Sequence, residues 1–468
     1  EAGHEAILIN SNPETVSTDF DTSDRLYFEP LDEESVRDII ENEGGDGELP
    51  KTMVQFGGQT AINLSQALGV ADLPVLGSTP DVIDLASDRG RFEEVTQRHG
   101  LPQPPGGMAS DVESALQVAG NVGYPVLVRP SYVLGGRAME IVQTPAELLR
   151  YFKMAMRDFP GQTILIDQYL TGLEVEVDAV CDGEDVLIPG IMQHIERAGV
   201  HSGDSMAVYP AQSLTEAEVE TIVDYTRRIG LALGIVGLMN IQFVVAGGGT
   251  YRGFDPSGAS RNPGDPEIYI IEVNPRSSRT IPFISKVTRI PMVRIATDVM
   301  RGKTIKEQGY KGGLAKKRNL IAVKAPVFSM SKLAGVDTFL GPEMKSTGEV
   351  MGIDTTFEGA ITKALLGSGL NIPTGDAVLL SIADPDKADA LGLVRTLDEA
   401  GHTIYATGGT AEMIRAMGVE VIEVEKRLQG GSGRTVVDII EDGTVKAVVN
   451  TVTGDRSKHG VRPAARPG

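Results

Sequence analysis

Apolar runs of strand length alternate with helical stretches and glycine-bearing turns along most of this chain, and that rhythm restricts the fold more than any other feature. Ala6-Ile7-Leu8-Ile9-Asn10 is followed by a polar loop through Asp24 and a helical stretch near 32–43. Thr52-Met53-Val54-Gln55-Phe56 turns at Gly57-Gly58 into a helix over 59–68, and Pro74-Val75-Leu76-Gly77 is a short strand. Strands separated by helices form a small parallel sheet, because parallel neighbours need a crossover and a helix provides one. A similar unit begins near 376 with Ala377-Val378-Leu379-Leu380-Ser381, a helix over 386–400 and a strand over 403–406. It turns at Thr407-Gly408-Gly409-Thr410 and continues with strands over 419–424 and 444–450.

The middle of the chain follows a different pattern. Residues 81–99 read as one long helix, and Val126-Leu127-Val128-Arg129 is a strand ending in a cation. The loop 131–137, with Gly135-Gly136, leads to a strand over 138–142. A helix over 145–157 and strands over 163–168, 173–181 and 185–195 come next, followed by a helix over 215–233. Two strands with acidic or amide ends, 238–246 and 267–273, flank a Gly/Pro/Ser/Asp-rich loop over 247–266. Residues 301–372 read as a mixed connector with extended pieces at 320–328. A chain of 468 residues is expected to form two to four domains.

Charge narrows the function. Lys and Arg number 43 against 64 Asp and Glu, a formal net charge of −21. Nucleic acid is repelled by such a field, and no dense basic run offsets it. The acidic excess resembles the surface chemistry of salt-adapted proteins. The single cysteine, Cys181, excludes an internal disulfide and reads as a small strand residue. No apolar stretch reaches membrane-spanning length, so a cytoplasmic protein is expected. Glu1 at the start and the unpatterned 462–468 read as fragment edges.

The richest chemistry lies in Ile271-Glu272-Val273-Asn274-Pro275-Arg276. Residues two apart on a strand share a face, so Glu272 and Asn274 project together. A carboxylate and an amide oxygen are hard ligands suited to Mg²⁺ on nucleotide phosphates, and Gln242 on the preceding strand can complete the set. Alone, the pattern is equally compatible with a polar strand end. Arg129 and Arg89 are candidate phosphate clamps, although a helix-face arginine such as Arg89 is more often solvated. Gly199-Val200-His201-Ser202-Gly203-Asp204-Ser205 fits a nucleotide-contact loop. Glu174, Glu176 and Asp178 share one strand face, either a solvated edge or a set in which Glu174 holds a ribose hydroxyl. Walker A, zinc-spacing and Ser/His/Asp signatures are missing.

Together and in this order, these residues resemble the ATP-grasp family, and within it the C-terminal half of carbamoyl-phosphate synthetase large subunits. The strings that carry the likeness are Asn12-Pro13-Glu14-Thr15-Val16-Ser17-Thr18-Asp19, Phe56-Gly57-Gly58-Gln59-Thr60, 129–137, 199–205, 272–276 and 340–352. The resemblance implies a multidomain α/β protein. Its expected parts are an N-terminally incomplete pre-ATP-grasp parallel sheet over 1–80 and an ATP-grasp domain over 81–300 with a lid subdomain at about 123–200. A connector over 301–373 and a methylglyoxal-synthase-like regulatory domain over 374–468, read as truncated, complete the set.

The resemblance further implies that this half phosphorylates carbamate with the second ATP of glutamine-hydrolysing carbamoyl-phosphate synthesis, for pyrimidine and arginine biosynthesis. Carried over residue by residue, Arg89, Arg129, Gln168, Leu170, Glu174, Gly199, Val200, His201, Ser202, Gln242 and Glu272 contact ATP. Gln242, Glu272 and Asn274 hold Mg²⁺ or Mn²⁺, while Arg276 and Arg129 serve catalysis. Loop 131–137 closes as a lid. Ser381, Lys387, Thr407, Thr410, Lys426, Asn450 and Thr451 are the expected contacts of a nucleotide effector. His194, Glu196 and Asp204 match an amino-acid activator site, but Ala325 stands where an acid would complete it, so no such activator is expected. The implied partners are an N-terminal synthetase half and a glutaminase small subunit. Other readings are a different ATP-grasp ligase, which would lack the long strings at 12–19 and 340–344, or a non-catalytic effector-binding subunit.

Overall fold

A computed structural model of the chain describes residues 3–45, 47–130, 139–159, 161–196, 198–246, 267–329, 340–341, 344–426 and 434–451. The chain divides into two units, Glu1–Gly369 and Leu370–Gly468. Loop 131–137, the insertion 247–266 and the tail 455–468 lie outside the described residues. Among the described residues no helix is long and apolar enough to cross a membrane.

The first unit opens with parallel pairing, but between other partners than the β/α rhythm suggests: the strands expected at 52–56 and 74–77 reduce to a single parallel bridge. Ile7–Ile9 runs parallel to Arg25–Tyr27, and Thr52 bridges Val75 in the same sense. Arg25–Tyr27 is too short to show a period, so only pairing reveals it as a strand. Helices Glu33–Gly44 and Gly58–Val70 pack Val36, Ile40, Ile62 and Leu68 against Val54 and Leu73. The single helix expected over 81–99 is instead two, Pro80–Ser87 and Arg89–Arg98. Asp88 between them is extended, and its carboxylate accepts the Arg91 N–H at 2.8 Å. Such an N-cap stabilises a helix by about 1 kcal/mol, enough to start a second helix where apolar periodicity shows no break.

An antiparallel sheet and a larger, mainly antiparallel one follow. The smaller orders Gly106–Ala109, Ile164–Gln168, Val126–Pro130 and Glu140–Val142 side by side. Helices Val112–Val122 and Pro145–Asp158 back it with Ala115, Ala119, Leu148, Tyr151 and Phe152. The larger has nine strands, with the path Glu267–Asn274, Val236–Ala246, Gly172–Asp182, Met192–His194, Ala207–Tyr209, Ile321–Val327 and Gly348–Asp354. Val186–Ile188 and Gly313–Leu314 extend it from Gly172–Asp182. The expected strand over 185–195 is therefore two short ones.

Segment 301–373, expected as a connector, contributes structure to this sheet. Ile321–Val327 covers the edge of Ala207–Tyr209, Gly348–Asp354 pairs beyond it, and helix Phe357–Gly367 buries Ala360 and Ala364 against Val323 and Ala325. An uncovered strand edge leaves backbone donors and acceptors unpaired, so the extended pieces are recruited as strands.

The opening β/α segment docks on the large sheet through buried polar contacts. Gln55 donates from Nε2 to Ser78 Oγ at 3.0 Å, and Ser78 Oγ both donates to Val236 O and accepts from Val236 N. Gly237 has φ +111°, and a Cβ there would stand 2.1 Å from Gln55 Oε1 and 2.5 Å from Met300 Cε.

The second unit is a four-stranded parallel sheet ordered Ile422–Val424, Thr403–Thr407, Ala377–Ser381 and Ala447–Asn450. Val378, Leu380, Val394, Ile404, Ala406 and Ile414 form its main core.

A Gly237→Ala substitution combines disfavoured backbone with a steric clash, and we expect a loss of about 2 kcal/mol or more. Urea unfolding checks this; an unchanged midpoint would show that the docking surface repacks freely.

Candidate active site

Strand Glu267–Asn274 carries a one-residue bulge that decides what its acidic end faces. Gln242 pairs with Glu272 but its neighbour Phe243 pairs with Ile270, leaving Ile271 without a partner in the register. Ile268, Ile270 and Val273 consequently all enter the apolar core against helix Glu216–Leu233. Glu272 and Asn274 turn to the opposite face, in register with Gln242 and Asn240, which in turn oppose Glu176 and Asp178. Uninterrupted alternation would set Glu272 on the same side as Ile268 and Ile270; the bulge re-aims it.

On this face Asn274 Nδ2 donates to Glu272 Oε1 at 2.9 Å, and Arg276 Nη2 donates to Asn274 Oδ1 at 3.4 Å. Arg276 also donates from Nη1 to Ser277 O and from Nε to Gln59 Oε1. Burial lowers its pKa from the usual guanidinium value, and Glu272, Asp178 and Glu176 oppose that shift. Among the described residues no group of three His, Cys, Asp or Glu side chains is placed to hold a metal. The donor set of Gln242, Glu272 and Asn274 is one carboxylate and two amides, all oxygen ligands. It fits a hard divalent cation that takes its remaining ligands from phosphate and water.

Of the expected phosphate clamps, Arg129 lies on the smaller sheet and Arg89 reaches it from a helix. Arg89, in the first turn of its helix, donates to Asp167 Oδ1 at 2.6 Å, and both side chains are mostly buried. Burial raises the Asp167 pKa, countered by Arg89 and Arg129. Arg129 is registered with Leu165, two residues before Asp167 on the same face, so Arg89 and Arg129 both act on Asp167, whereas Gln168 is registered with Val126 at the other end of the strand pair. Asp167 was not singled out from sequence; its signal was an acid next to Gln168 in an otherwise apolar strand.

Tyr169 joins this edge to the glycine-rich loop. Its hydroxyl donates to Ala198 O at 2.7 Å, and its ring lies 3.3 Å from where a Gly199 Cβ would stand. His201 Nδ1 accepts the Gly203 N–H at 3.0 Å, which requires that nitrogen to be unprotonated, and burial lowers the His201 pKa in the same sense. Asp204 accepts the backbone N–H groups of Lys345 and Ser346, both at 2.8 Å. Lys345 and Ser346 therefore brace the loop.

On the same face, one strand further into the sheet, lies a buried charge network. Glu174, Glu176 and Asp178 are not a solvated edge: they are 6%, 1% and 0% exposed. Glu176 accepts from Asn240 Nδ2 at 2.7 Å and from Thr280 Oγ1, and lies 3.3 Å from His194 Nε2. His194 Nδ1 stands 3.4 Å from Glu174. Lys324, itself buried, donates to Ser202 O at 3.1 Å and adds positive charge. Burial alone would neutralise Glu176, but His194 and Lys324 outweigh it and keep it ionised; Asp178 is pushed up by burial and by Glu176. Lys324 escaped sequence reasoning, although a lone lysine in Ile321–Val327 is a signal. His194 and Asp204 are thus committed to protein partners, as is Glu196, which accepts the Met206 N–H at 2.7 Å. Ala325 is buried beside them.

In the second unit, Ser381, Thr407 and Asn450 lie at the carboxyl ends of parallel strands, where Ala377–Ser381 is flanked by strands reached in opposite directions. Such a switch point is the usual crevice of an open parallel sheet. Lys387 pairs with Asp384 at 2.7 Å, and Lys426 also acts on that carboxylate. Thr410 Oγ1 accepts the Ile382 N–H and donates to its carbonyl, while Thr451 Oγ1 accepts the Ala383 N–H. These two hydroxyls shape the crevice.

Burial lowers the His194 pKa, but Glu174 and Glu176 overcome it and raise the group from 6.5 to about 9. The ionised cluster therefore stabilises the fold fully below pH 6.5 and is lost as pH rises through about 9. We expect the thermal midpoint to fall across that window more steeply in the native chain than in His194→Gln. Parallel slopes would show that another group governs the window.

Comparison with known proteins agrees with this architecture. The family model for the carbamoyl phosphate synthase preATP-grasp domain matches residues 1–85, that for the carbamoyl-phosphate synthase L chain ATP-binding domain matches 88–255, and that for the MGS-like domain matches 389–464. The carbamoyl phosphate synthase large chain of Thermomicrobium roseum is 54% identical over 452 residues, covering 96% of this chain and 40% of that relative. The biotin carboxylase domain of Hydrogenobacter thermophilus 2-oxoglutarate carboxylase shares the fold at TM-score 0.55 and 21% identity, over 70% of this chain and 71% of that one. N5-carboxyaminoimidazole ribonucleotide synthetase from Thermotoga maritima does so at TM-score 0.54 and 13% identity, over 79% and 92%. The chain spans about 40% of the length of the large chain it matches, and on the sequence identity and the three family matches it belongs to the carbamoyl phosphate synthase large-chain family of ATP-grasp ligases.

Proposed function

We propose that this chain binds ATP with Mg²⁺ or Mn²⁺ on the polar face and transfers the γ-phosphoryl group to carbamate, giving carbamoyl phosphate and ADP. The observation that carries the reading is the bulge at Ile271, which gathers Gln242, Glu272, Asn274 and Arg276 on one face. A carbamate oxygen attacks the γ-phosphorus while the bond to the β,γ-bridging oxygen breaks. The protein's task is to hold both in line and to neutralise charge that spreads over phosphoryl oxygens. Arg276 meets the carbamate or the transferring phosphoryl, and Arg129 and Arg89 clamp phosphate oxygens. Gln168, Leu170, Glu174 and residues 199–202 receive the nucleoside. A divalent ion held by Gln242, Glu272 and Asn274 supplies further charge neutralisation.

Carbamate has to be supplied by a companion activity, so an N-terminal synthetase half and a glutaminase small subunit are the proposed partners. The proposed setting is cytoplasmic carbamoyl phosphate synthesis for pyrimidines and arginine. The second unit receives a nucleotide effector at the crevice of Ser381, Lys387, Thr407, Lys426 and Asn450. The similar carboxylase domain was crystallised with ADP, magnesium and bicarbonate. A different ATP-grasp ligase would fit the same fold, and substrate choice separates the two readings.

The test needs only this chain: ATP formation from MgADP and added carbamoyl phosphate. We expect ATP from the native protein, a loss of at least 100-fold in Glu272→Ala, and a loss of about 10-fold or more in Gln242→Ala without matching loss of stability. Equal rates in native protein and Glu272→Ala would remove the reading.

A further inference from the structure

The Phe56-Gly57-Gly58-Gln59-Thr60 motif stands more than 200 residues before the strand that carries Glu272 and Asn274, and the proposed function does not use it. The structure nevertheless brings the two together. Ser277 N–H donates to Gln55 O at 2.9 Å, Ser277 Oγ donates to Phe56 O at 3.4 Å, and Arg276 Nε donates to Gln59 Oε1 at 3.1 Å. Two of these contacts join backbone or hydroxyl groups. The third takes hold of the guanidinium itself.

We propose that Gln59 is a positioning residue for Arg276, fixing the guanidinium so that its remaining N–H groups face the transferred phosphoryl or its acceptor. The orientation of the Gln59 amide is set by its other end, where Nε2 donates to Asn63 Oδ1 at 3.1 Å one helical turn further on. With Nε2 committed as donor, Oε1 is the atom presented to Arg276. A guanidinium has five N–H donors in a rigid plane. Gln59, Ser277 O and Asn274 Oδ1 take one from each nitrogen, so among the described residues one N–H on each terminal nitrogen stays available. Without Gln59 the side chain keeps two contacts near its tip, one of them long at 3.4 Å, and loses the contact closest to its stem.

The chain of contacts also has a direction. Asn63, Gln59, Arg276, Asn274 and Glu272 are linked in series by side-chain hydrogen bonds. The opening β/α segment is thereby connected to the proposed metal edge through a charged group. Gln59 sits in the first turn of Gly58–Val70, and that helix can begin beside Arg276 because Gly58 has φ +66°.

This inference rests on the phosphoryl-transfer reading, and its test is chosen to separate the two. In ATP formation from MgADP and carbamoyl phosphate, Gln59→Ala should lower kcat roughly tenfold or more, because a hydrogen bond to a charged group is lost. KM for ADP should stay within about twofold. Gln59→Glu keeps an acceptor for Nε and should recover most of the lost rate. The second readout requires no turnover: the Nε–H resonance of Arg276 in protein carrying ¹⁵N-arginine, assigned as the signal missing from Arg276→Lys. Its hydrogen exchange should accelerate at least tenfold in Gln59→Ala and stay slow in Gln59→Glu. An unchanged exchange rate in Gln59→Ala overturns the proposal, as does a rise in KM for ADP at constant kcat. If native protein forms no ATP, the proposed function falls while the exchange measurement still decides whether Gln59 holds Arg276.

Discussion

The register slip at Ile271 is the constraint on which the candidate site depends. A β-strand offers two faces with strict alternation, and in Glu267–Asn274 one is committed to the apolar core through Ile268 and Ile270. Continuing that alternation would drive the Glu272 carboxylate into the same core, where an unpaired charge costs several kcal/mol. One residue left out of the pairing between Gln242 and Phe243 reverses the phase. Val273 then takes the core position, and Glu272 and Asn274 join Gln242 and Asn240 on the polar side.

That polar side is kept in place by charges buried beside it on the same face. Glu176 and Lys324 are each about 1% exposed, and neither could be so without partners. Glu176 has His194, Asn240 and Thr280; Lys324 reaches the Ser202 carbonyl. The lysine lies on a strand more than 120 residues later in the chain than the loop it touches. The network therefore couples the nucleotide-side loop to the far strands of the sheet. Asp204 does the same from the other direction, accepting two backbone N–H groups from Lys345 and Ser346. Lys324, Lys345 and Ser346, from the stretch expected as a connector, are consequently part of the site's support.

Family membership and activity rest on different grounds. Membership follows from identity across nearly the whole chain and three family matches in order. The proposed transfer to carbamate follows from what the polar face can do chemically: oxygen donors for a hard cation beside a fixed guanidinium, with two further arginines, Arg89 and Arg129, acting on Asp167. Asp167 and Asn240 belong to that picture as groups that hold the contacting residues, and each had only a faint local signal.

Local sequence determined a good deal. The parallel β/α units at both ends, the strand identity of 238–246 and 267–273, and the shared face of Glu272 and Asn274 all follow from periods of two and 3.6 residues, which the chain carries within a few positions. The long strings around Asn12, Phe56, Arg129 and Glu272 carried the family. Tertiary structure decided what short-range periodicity cannot encode. A helix break at Asp88 leaves the apolar pattern unaltered, a bulge is defined only by the partner strand, and burial of Glu174, Glu176 and Asp178 depends on partners from distant segments, His194, Asn240, Ser278, Thr280 and Lys324. Gln59 is the clearest case. Its sequence neighbourhood shows only the start of a helix, and its contact with Arg276 exists because two segments 217 residues apart dock through Gln55, Ser78 and Gly237.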